Sequence, residues 1–272
     1  AKKYHRITVS DADLPWAATS GSNLFTPNPT SFAWNGTYWI GVSGSNVPES
    51  IGMVALSVDG ITWIESVSGS LLFPIGVSSI IWNGSMWIGS DNNNIIGYSY
   101  DGITWTGLGT SIFSNEGKGV AWNGTLWVAV GAGTGTFNTI AYSSNGTQWT
   151  GLGSTVLNGI DRGSVEYDNG IWVALGDSSP FKIATSTNGI TWTGQGVTTF
   201  ATAGYGIARS GPVATTTLGQ GTVVQRVSEN KLAFYVAVGS GGNTISYTNN
   251  AKWIGVGSTI FTTKGNKVAH NG

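Results

Sequence analysis

The chain has 272 residues, and its 12 basic and 13 acidic side chains nearly cancel to a formal net charge of −1 at pH 7. Without a basic excess there is no electrostatic footprint for a phosphate backbone, so the composition argues against nucleic acid as a partner. No run of apolar residues approaches the ~18 that are needed to cross a bilayer, so we expect no membrane span.

The thirteen tryptophans fall on a repeating unit. The second half of this unit ends in a tryptophan in six copies, at Trp16, Trp63, Trp105, Trp149, Trp192 and Trp253. Successive copies are 47, 42, 44, 43 and 61 residues apart, so one interval is long. A repeat of roughly 40 to 50 residues is typical of β-propeller blades.

The first half of the unit is a short apolar segment that turns at Asn-Gly. Clear copies occupy residues 32–39, 80–87, 120–127 and 165–172, a blurred copy lies around 232–239, and a sixth breaks off at 268–272. Asn-Gly between β-branched and aromatic residues is the strongest short-range hairpin signal. We therefore expect two hairpins, and so four strands, in each unit.

The third copy predicts how one hairpin is built. A two-residue Asn-Gly turn would pair Trp122 with Thr125 and Val120 with Trp127. Because side chains alternate along a strand, Val120, Trp122 and Trp127 would share one face, and the remaining apolar residues would lie on the other. Both faces are then apolar, as expected for a sheet packed between two neighbours.

A four-stranded unit cannot bury two apolar faces alone, so the copies must stack on one another. The sequence predicts an all-β, six-bladed β-propeller of four-stranded antiparallel blades, a single domain over residues 1–272. We expect the two ends of the chain to close the ring by sharing one blade, with an outer hairpin at 7–16 and an inner strand at 264–272. The missing strand would come from Ala1 to Arg6 or be absent.

Four units carry a pair of aromatic residues beside the Asn-Gly turn. They are Trp34 with Trp39, Trp82 with Trp87, Trp122 with Trp127, and Tyr167 with Trp172. Sugar rings lie on aromatic faces while neighbouring amides and hydroxyls bind their hydroxyl groups, so these pairs are candidate glycan-binding sites. The alternative is that the rings fill the space between blades, since tryptophan is highly buried on average.

The second half of each unit contains a turn that begins at a serine. Residues 57–63 and 99–105 run Ser-x-Asp-Gly-Ile-Thr-Trp, and residues 143–149 and 186–192 have Asn at the Asp position. These four segments, the Ser-Asx turns, resemble the Asp-box (BNR-type) turn with one residue fewer before the glycine. That family includes sialidases, other glycosidases, lectins and sorting receptors. Because Asn replaces Asp in two copies, we expect the side chain to hold its own turn rather than to transfer protons.

The fuller unit also resembles Trp/Gly-rich repeats in proteins of large DNA viruses and phages. This resemblance implies a structural or attachment role in a particle or at its surface. It would place the protein outside the cell or on a virion.

Catalysis is a weaker hypothesis than binding. A sialidase would need three arginines gathered around a substrate carboxylate, together with a cooperating Tyr-Glu pair. This chain has only four arginines in all from which such a group could come. Its Glu166 and Tyr167 are adjacent in a strand and so point to opposite faces. We expect Glu166 to form an ion pair with Arg162 or Lys182. No cofactor motif is present, and two histidines without cysteine give no metal-ligand spacing.

The fifth copy is interrupted by about 17 extra residues, which we place at Arg209 to Val227. Insertions on a rigid scaffold often carry partner contacts. The sequence thus predicts a non-catalytic binding or structural module. Glycan recognition is the first hypothesis, attachment to protein partners in an assembly such as a virion the second, and an Asp-box glycoside hydrolase the third.

Overall fold

The computed structural model describes most of the repeat copies. The described residues are 25, 28–44, 53–91, 96–132, 137–157, 163–168, 170–176, 181–195, 203–210, 234–240, 245–248 and 253–257. In the last four ranges the description covers the backbone, together with the side chain of Ile207. The segments predicted to close the ring, at 1–16 and 264–272, lie outside the described residues.

Within these ranges the strands form five antiparallel sheets of four strands each. Sheet one contains β1 (Asn28–Trp34), β2 (Trp39–Gly44), β3 (Val54–Ser57) and β4 (Ile64–Glu65). Sheet two contains β5 (Val77–Trp82), β6 (Trp87–Asp91), β7 (Ile96–Ser99) and β8 (Thr106–Gly107). Sheet three contains β9 (Glu116–Trp122), β10 (Trp127–Ala132), β11 (Ile140–Ser143) and β12 (Thr150–Gly151). Sheet four contains β13 (Val165–Asp168), β14 (Ile171–Leu175), β15 (Ile183–Ser186) and β16 (Thr193–Gly194). Sheet five contains β17 (Ala203–Ser210), β18 (Phe234–Ser240), β19 (Ile245–Thr248) and β20 (Trp253–Gly257).

Hydrogen bonds join the strands of each sheet in chain order, from the first to the fourth, and the first two strands form what we call the inner hairpin. Each repeat is therefore an antiparallel meander. The predicted all-β class and the four-stranded antiparallel unit are confirmed.

A short helix, α1 (Val67–Leu72), joins sheets one and two. Ser66 caps it, since its Oγ accepts a hydrogen bond from the N–H of Gly69 at 3.3 Å. Six residues make fewer than two helical turns, which is too short for a hydrophobic period to appear in the sequence. The repeat pattern therefore gave no sign of this helix.

The inner hairpin of sheet three corrects the predicted register. Trp122 faces Trp127 rather than Thr125, and Val120 faces Ala129 rather than Trp127. Each residue thus pairs two positions further along the second strand than predicted. Because side chains alternate with a period of two, a shift of two positions leaves every side chain on its predicted face. The aromatic residues of sheets one, two and four face each other in the same way.

The asparagine side chain causes this shift. Oδ1 of Asn123 accepts hydrogen bonds from the N–H groups of Thr125 and Leu126 at 2.8 and 2.6 Å. The N–H of Asn123 donates to the carbonyl oxygen of Leu126 at 3.1 Å. Asn123 thus precedes the two central residues of the turn, and the first of them, Gly124, has a φ of +100°, which glycine adopts at little cost. The corresponding asparagines of sheets one and two make the same contacts.

Neighbouring sheets pack face to face through apolar side chains. On one face of sheet three, Trp127 and Val120 pack with Ile88 of sheet two. On its other face, Val128 packs with Trp172 of sheet four. Burying one tryptophan contributes roughly 4–6 kcal/mol before chain entropy is subtracted, so these interfaces supply much of the core. The prediction that a sheet lies between two neighbours is confirmed for sheets two, three and four.

Candidate functional site

The first strands of the sheets, which we call the inner strands, line a shared cavity of about 350 Å³, which we call the central cavity. Ser31, Ser79, Gly119 and Ser164 occupy the same position in four successive repeats, and all four border this cavity. The inner strands therefore run in the same direction and lie at the same level around it. The half-buried Glu166 also borders the cavity.

Each of these four inner strands has an aromatic residue three positions beyond its cavity-lining residue. These residues, the rim aromatics, are Trp34, Trp82, Trp122 and Tyr167. Because the strands are level with one another at the cavity, we infer that the four aromatic residues lie at one rim of it. Trp34 is 41% exposed, and the other three are half-buried.

The second residues of the aromatic pairs have a different environment. These residues, the packing tryptophans, are Trp39, Trp87, Trp127 and Trp172. Each lies against its rim aromatic with ring centroids 4.7 to 5.1 Å apart. The last three are fully buried between their own sheet and the preceding one, so they offer no ring face to a ligand. Trp39 is 39% exposed, and among the described residues no sheet precedes its own.

The Ser-Asx turns hold their own backbone. In the first turn, Oδ1 of Asp59 accepts hydrogen bonds from the hydroxyl of Ser57 and from the N–H groups of Ile61 and Thr62, at 2.7 to 2.9 Å. The asparagines of the third and fourth turns make the corresponding contacts. The structural role predicted for this side chain is therefore confirmed.

These hydrogen bonds favour the charged form of the two carboxylates. The backbone N–H of Thr62 contributes most to lowering the pKa of Asp59 from 3.8 to about 2. Partial burial raises the pKa of Asp101, but hydrogen bonds from the N–H groups of Thr104 and Ile103 outweigh it, so this pKa also lies below its ordinary value.

The lowered pKa values predict an acid-dependent loss of stability. A carboxylate whose folded pKa is depressed stabilises the fold above its unfolded pKa, and this contribution is lost as the pH falls towards the folded pKa. Between about pH 4 and pH 2 we expect the Tm of the wild type to fall more steeply than that of the double variant Asp59→Asn/Asp101→Asn. The variant keeps an amide oxygen at each position, as the third and fourth turns do. Thermal unfolding by circular dichroism measures both profiles, and parallel profiles would contradict the assignment.

Glu166 and Tyr167 do not form a cooperating pair. Glu166 borders the central cavity, while Tyr167 lies against Trp172 with ring centroids 4.8 Å apart, so the two side chains leave β13 on opposite faces as predicted. Arg162 lies outside the described residues, and the ion pair of Glu166 with Arg162 or Lys182 stays a prediction. Over the described ranges, no three His, Cys, Asp or Glu side chains are grouped closely enough to hold a metal ion.

The connection that interrupts the fifth repeat begins at the rim. β17 ends at Ser210 and β18 begins at Phe234, and these two residues face each other. Arg209 faces Tyr235 in the register of the aromatic pairs of the other sheets. The predicted start at Arg209 is therefore wrong by two residues: the connection spans 211–233 and replaces the short turn of the other inner hairpins. The match between Gly-Ile-Ala-Arg209 and Gly-Val-Ala-Trp122 is the sequence signal that could have placed it.

No protein-family model matches the sequence, and no curated protein matches it. Several solved structures resemble its fold. A GH74 enzyme of Niastella koreensis superimposes with a TM-score of 0.55 at 16% identity, over 89% of this chain and 34% of that chain. A structure of a nidogen/laminin complex gives 0.59 at 9% identity, over 89% and 84% of the two chains. The computationally designed Ika8 protein gives 0.50 at 13% identity, over 83% and 59%.

These likenesses concern the fold. The chain spans about a third of the length of the Niastella koreensis enzyme, and a shared fold at such low identity does not carry an activity. No helix in the described part of the chain has the length and apolar character needed to cross a membrane. Five stacked four-stranded sheets around a common cavity, together with these neighbours, show that the chain has a β-propeller fold.

Proposed function

We propose that this chain is a non-catalytic binding module that recognises glycans through the rim aromatics. One observation carries the proposal: three of the packing tryptophans are fully buried, while all four rim aromatics keep part of their surface exposed. An exposed ring beside hydroxyl and amide groups suits a sugar, because the C–H face of the sugar packs on the ring and its hydroxyls bind the polar groups.

The polar groups near the rim favour a hydroxyl-rich ligand, and the charged side chains of Lys118 and Glu166 also border the central cavity. Ser31, Ser79 and Ser164 contribute hydroxyls to the central cavity, and each rim aromatic is followed directly by an Asn or Asp. The aromatic position recurs in four successive sheets, so a branched or polymeric glycan would make several equivalent contacts and gain avidity.

A glycan array probed with the full chain tests this proposal. We expect retention of one class of glycans, and a loss of signal of at least tenfold in Trp122→Ala, because the ring contact is removed. Tyr100→Ala is the matched control, since Tyr100 is an exposed aromatic residue in a Ser-Asx turn and not on the rim. An array that retains no glycan, or equal losses in the two variants, would overturn the proposal.

We also propose that six blades close the ring and that residues 7–16 and 264–272 complete the sixth. The support is the face of sheet one that carries Phe32 and Trp39, which are 48% and 39% exposed. The equivalent face of sheets two, three and four is covered by the preceding sheet. A sixth blade packed here would bury Trp39 and leave Trp34 on the rim.

Hydroxyl-radical footprinting of the full chain, read by mass spectrometry, tests the closure. We expect Trp39 to be oxidised as slowly as the buried Trp127, and Trp34 several-fold faster than either, because a sixth blade would shield Trp39 alone. Equal oxidation of Trp34 and Trp39 would show that this face is open and would rule out the closure.

A second candidate function is attachment to a protein partner in an assembly. The supporting observation is the exposure of three apolar residues close together in the chain, Ile64, Val67 and Leu71, of which the last two lie one turn apart on α1. The nidogen/laminin neighbour is a complex of two proteins. Sedimentation velocity at rising concentration tests association of the chain with itself: the wild type should associate and a Val67→Ser/Leu71→Ser variant should not. A wild type that stays monomeric would exclude a second copy as the partner.

A glycoside hydrolase is the third candidate. The carboxylates of Asp59 and Asp101 are engaged in their own turns, so a catalytic pair would have to come from residues such as Glu166 and Asp168. Hydrolysis of a glycan retained on the array, abolished by Glu166→Gln, would support this candidate over simple recognition.

A further inference from the structure

The inner strands border the central cavity with their edges and not with one face. Consecutive residues line it in three strands, at 78–81, 118–120 and 163–166. Because side chains alternate between the two faces of a strand, an unbroken run borders a cavity only where the strand edge turns towards it. Within the described ranges, no strand pairs with an inner strand on that edge. Its N–H and C=O groups therefore need hydrogen-bond partners other than a strand.

Hydroxyl groups of the protein already act as such partners at one place. The N–H of Ile80 donates to Oγ of Ser31 at 3.5 Å, and the hydroxyl of Thr30 donates to the carbonyl oxygen of Val77. Both bonds reach β5 from the neighbouring sheet, one to a donor and one to an acceptor. A hydroxyl can play either role, so hydroxyl groups suit a wall that offers backbone donors and acceptors together.

A β-bulge recurs in the inner strands at the cavity. The pairing of β1, β5, β9 and β17 with the second strand of each sheet skips one residue. The skipped residues are Thr30, Ser78, Lys118 and Tyr205. Two of them, Ser78 and Lys118, border the cavity. Bulges re-aim residues and are frequent beside functional sites, so the cavity wall has the same local construction in four sheets.

The lining and the volume define the class of ligand. Lys118 and Glu166 carry opposite charges, and Lys118 also forms an ion pair with Glu116, so the cavity does not select a ligand of one sign. The volume of about 350 Å³ lies near the lower end of the range for small-ligand pockets, which suits the end of a glycan and not a length of its chain. A sugar hydroxyl that displaces a cavity water can reproduce the hydrogen bonds of that water.

We propose that the central cavity binds the terminal residue of a glycan. This inference rests on the glycan recognition proposed above and adds the part of the glycan that is recognised. Because the rim aromatics lie at one rim of the cavity, a terminal residue inside it places the next residue of the glycan at the rim rings. Hydrogen bonds in the cavity then select the chain end, and the rings hold the residue beside it.

A glycan array probed with the full chain tests this assignment, read on pairs of glycans that differ by one added terminal residue. We expect the wild type to retain one member of such a pair, and Ser79→Phe to lose about tenfold or more of that signal, because the added ring occupies the cavity. Ser144→Phe is the matched control: Ser144 is exposed in a Ser-Asx turn, away from the cavity, and this variant should keep the wild-type signal.

A second variant, Ser79→Ala/Ser164→Ala, removes hydroxyls from the cavity without adding volume. It should lose several-fold of the signal, and it provides the test if thermal unfolding shows that Ser79→Phe does not fold.

The outcomes separate this inference from the proposed function. Equal retention of both members of the pairs would show that the chain end is not what is recognised. Wild-type retention by the cavity variants, together with loss in Trp122→Ala, would overturn the inference and leave the rim as the glycan site. Equal losses in Ser79→Phe and Ser144→Phe would also overturn it, since the effect would not be specific to the cavity. An array that retains no glycan is the separate result that would remove the proposed function.

Discussion

Replacement of Trp127 by alanine is expected to lower the free energy of unfolding by about 3–5 kcal/mol. The indole is fully buried between sheets two and three, where it packs with Met86, Ile88 and Ala129. Both sheets are fixed by their own ladders of hydrogen bonds, so they cannot collapse into the space that the ring leaves. The loss should therefore include a cavity contribution in addition to the loss of buried apolar area.

Trp122→Ala is the matched control for this variant. Trp122 lies on the same hairpin, directly opposite Trp127, but its ring is half-buried at the rim. We expect removal of this ring to lower the free energy of unfolding by about 1–2 kcal/mol. The loss comes from its partly buried surface and from its contact with the ring of Trp127, whose centroid is 4.7 Å away. Urea denaturation followed by far-ultraviolet circular dichroism measures both values. Equal losses would mean that the two rings do not differ in structural role, and the division into rim aromatics and packing tryptophans would then be wrong.

Replacement of Gly189 by alanine is expected to lower the free energy of unfolding by about 2–4 kcal/mol. This glycine lies in the Ser-Asx turn of sheet four with a φ of +74°, in the left-handed region that L side chains rarely adopt. An added Cβ would lie 2.7 Å from Cδ2 of Leu126 and 3.1 Å from Nε1 of Trp172. The substitution therefore combines backbone strain with a clash against the neighbouring sheet.

Gly60→Ala separates the two contributions. Gly60 has the same place in the first Ser-Asx turn and a φ of +73°, but a Cβ there would meet no atom within 4 Å. Gly60→Ala should therefore lower the free energy of unfolding only by the backbone strain, about 1–2 kcal/mol. Chemical denaturation of the two variants gives the difference between their losses in free energy of unfolding. This difference measures the contribution of the close approach between the fourth Ser-Asx turn and sheet three. If both variants lose the same stability, the packing of this turn on the neighbouring sheet is looser than the contacts indicate.

Local signals in the sequence predicted the repeating elements well. Strands and hairpins depend on alternation and on Asn-Gly turns, both of which act over a few residues, so the four-stranded units and the faces of Val120, Trp122 and Trp127 were predicted correctly. The exchange of Asp59 for Asn at equivalent positions was enough to identify a structural side chain, because hydrogen bonding survives that exchange and acid-base chemistry does not.

Other features depend on interactions that a repeat pattern does not contain. The register of the inner hairpins differs from prediction because Oδ1 of Asn123 competes for the N–H groups of the turn. Helix α1 is too short to show a period. The start of the fifth-repeat connection was misplaced because Arg209 stands where the inner strands of the other sheets carry an aromatic residue.

The amino-acid sequence by itself determined the class of fold, the size of its unit and the aromatic positions, since these follow from short-range alternation and turn chemistry. Only the tertiary structure decided which ring of each pair is exposed. Exposure depends on what the neighbouring sheet places against a residue: Trp122 and Trp127 are the same amino acid on the same face, and the packing of sheet two buries one of them completely.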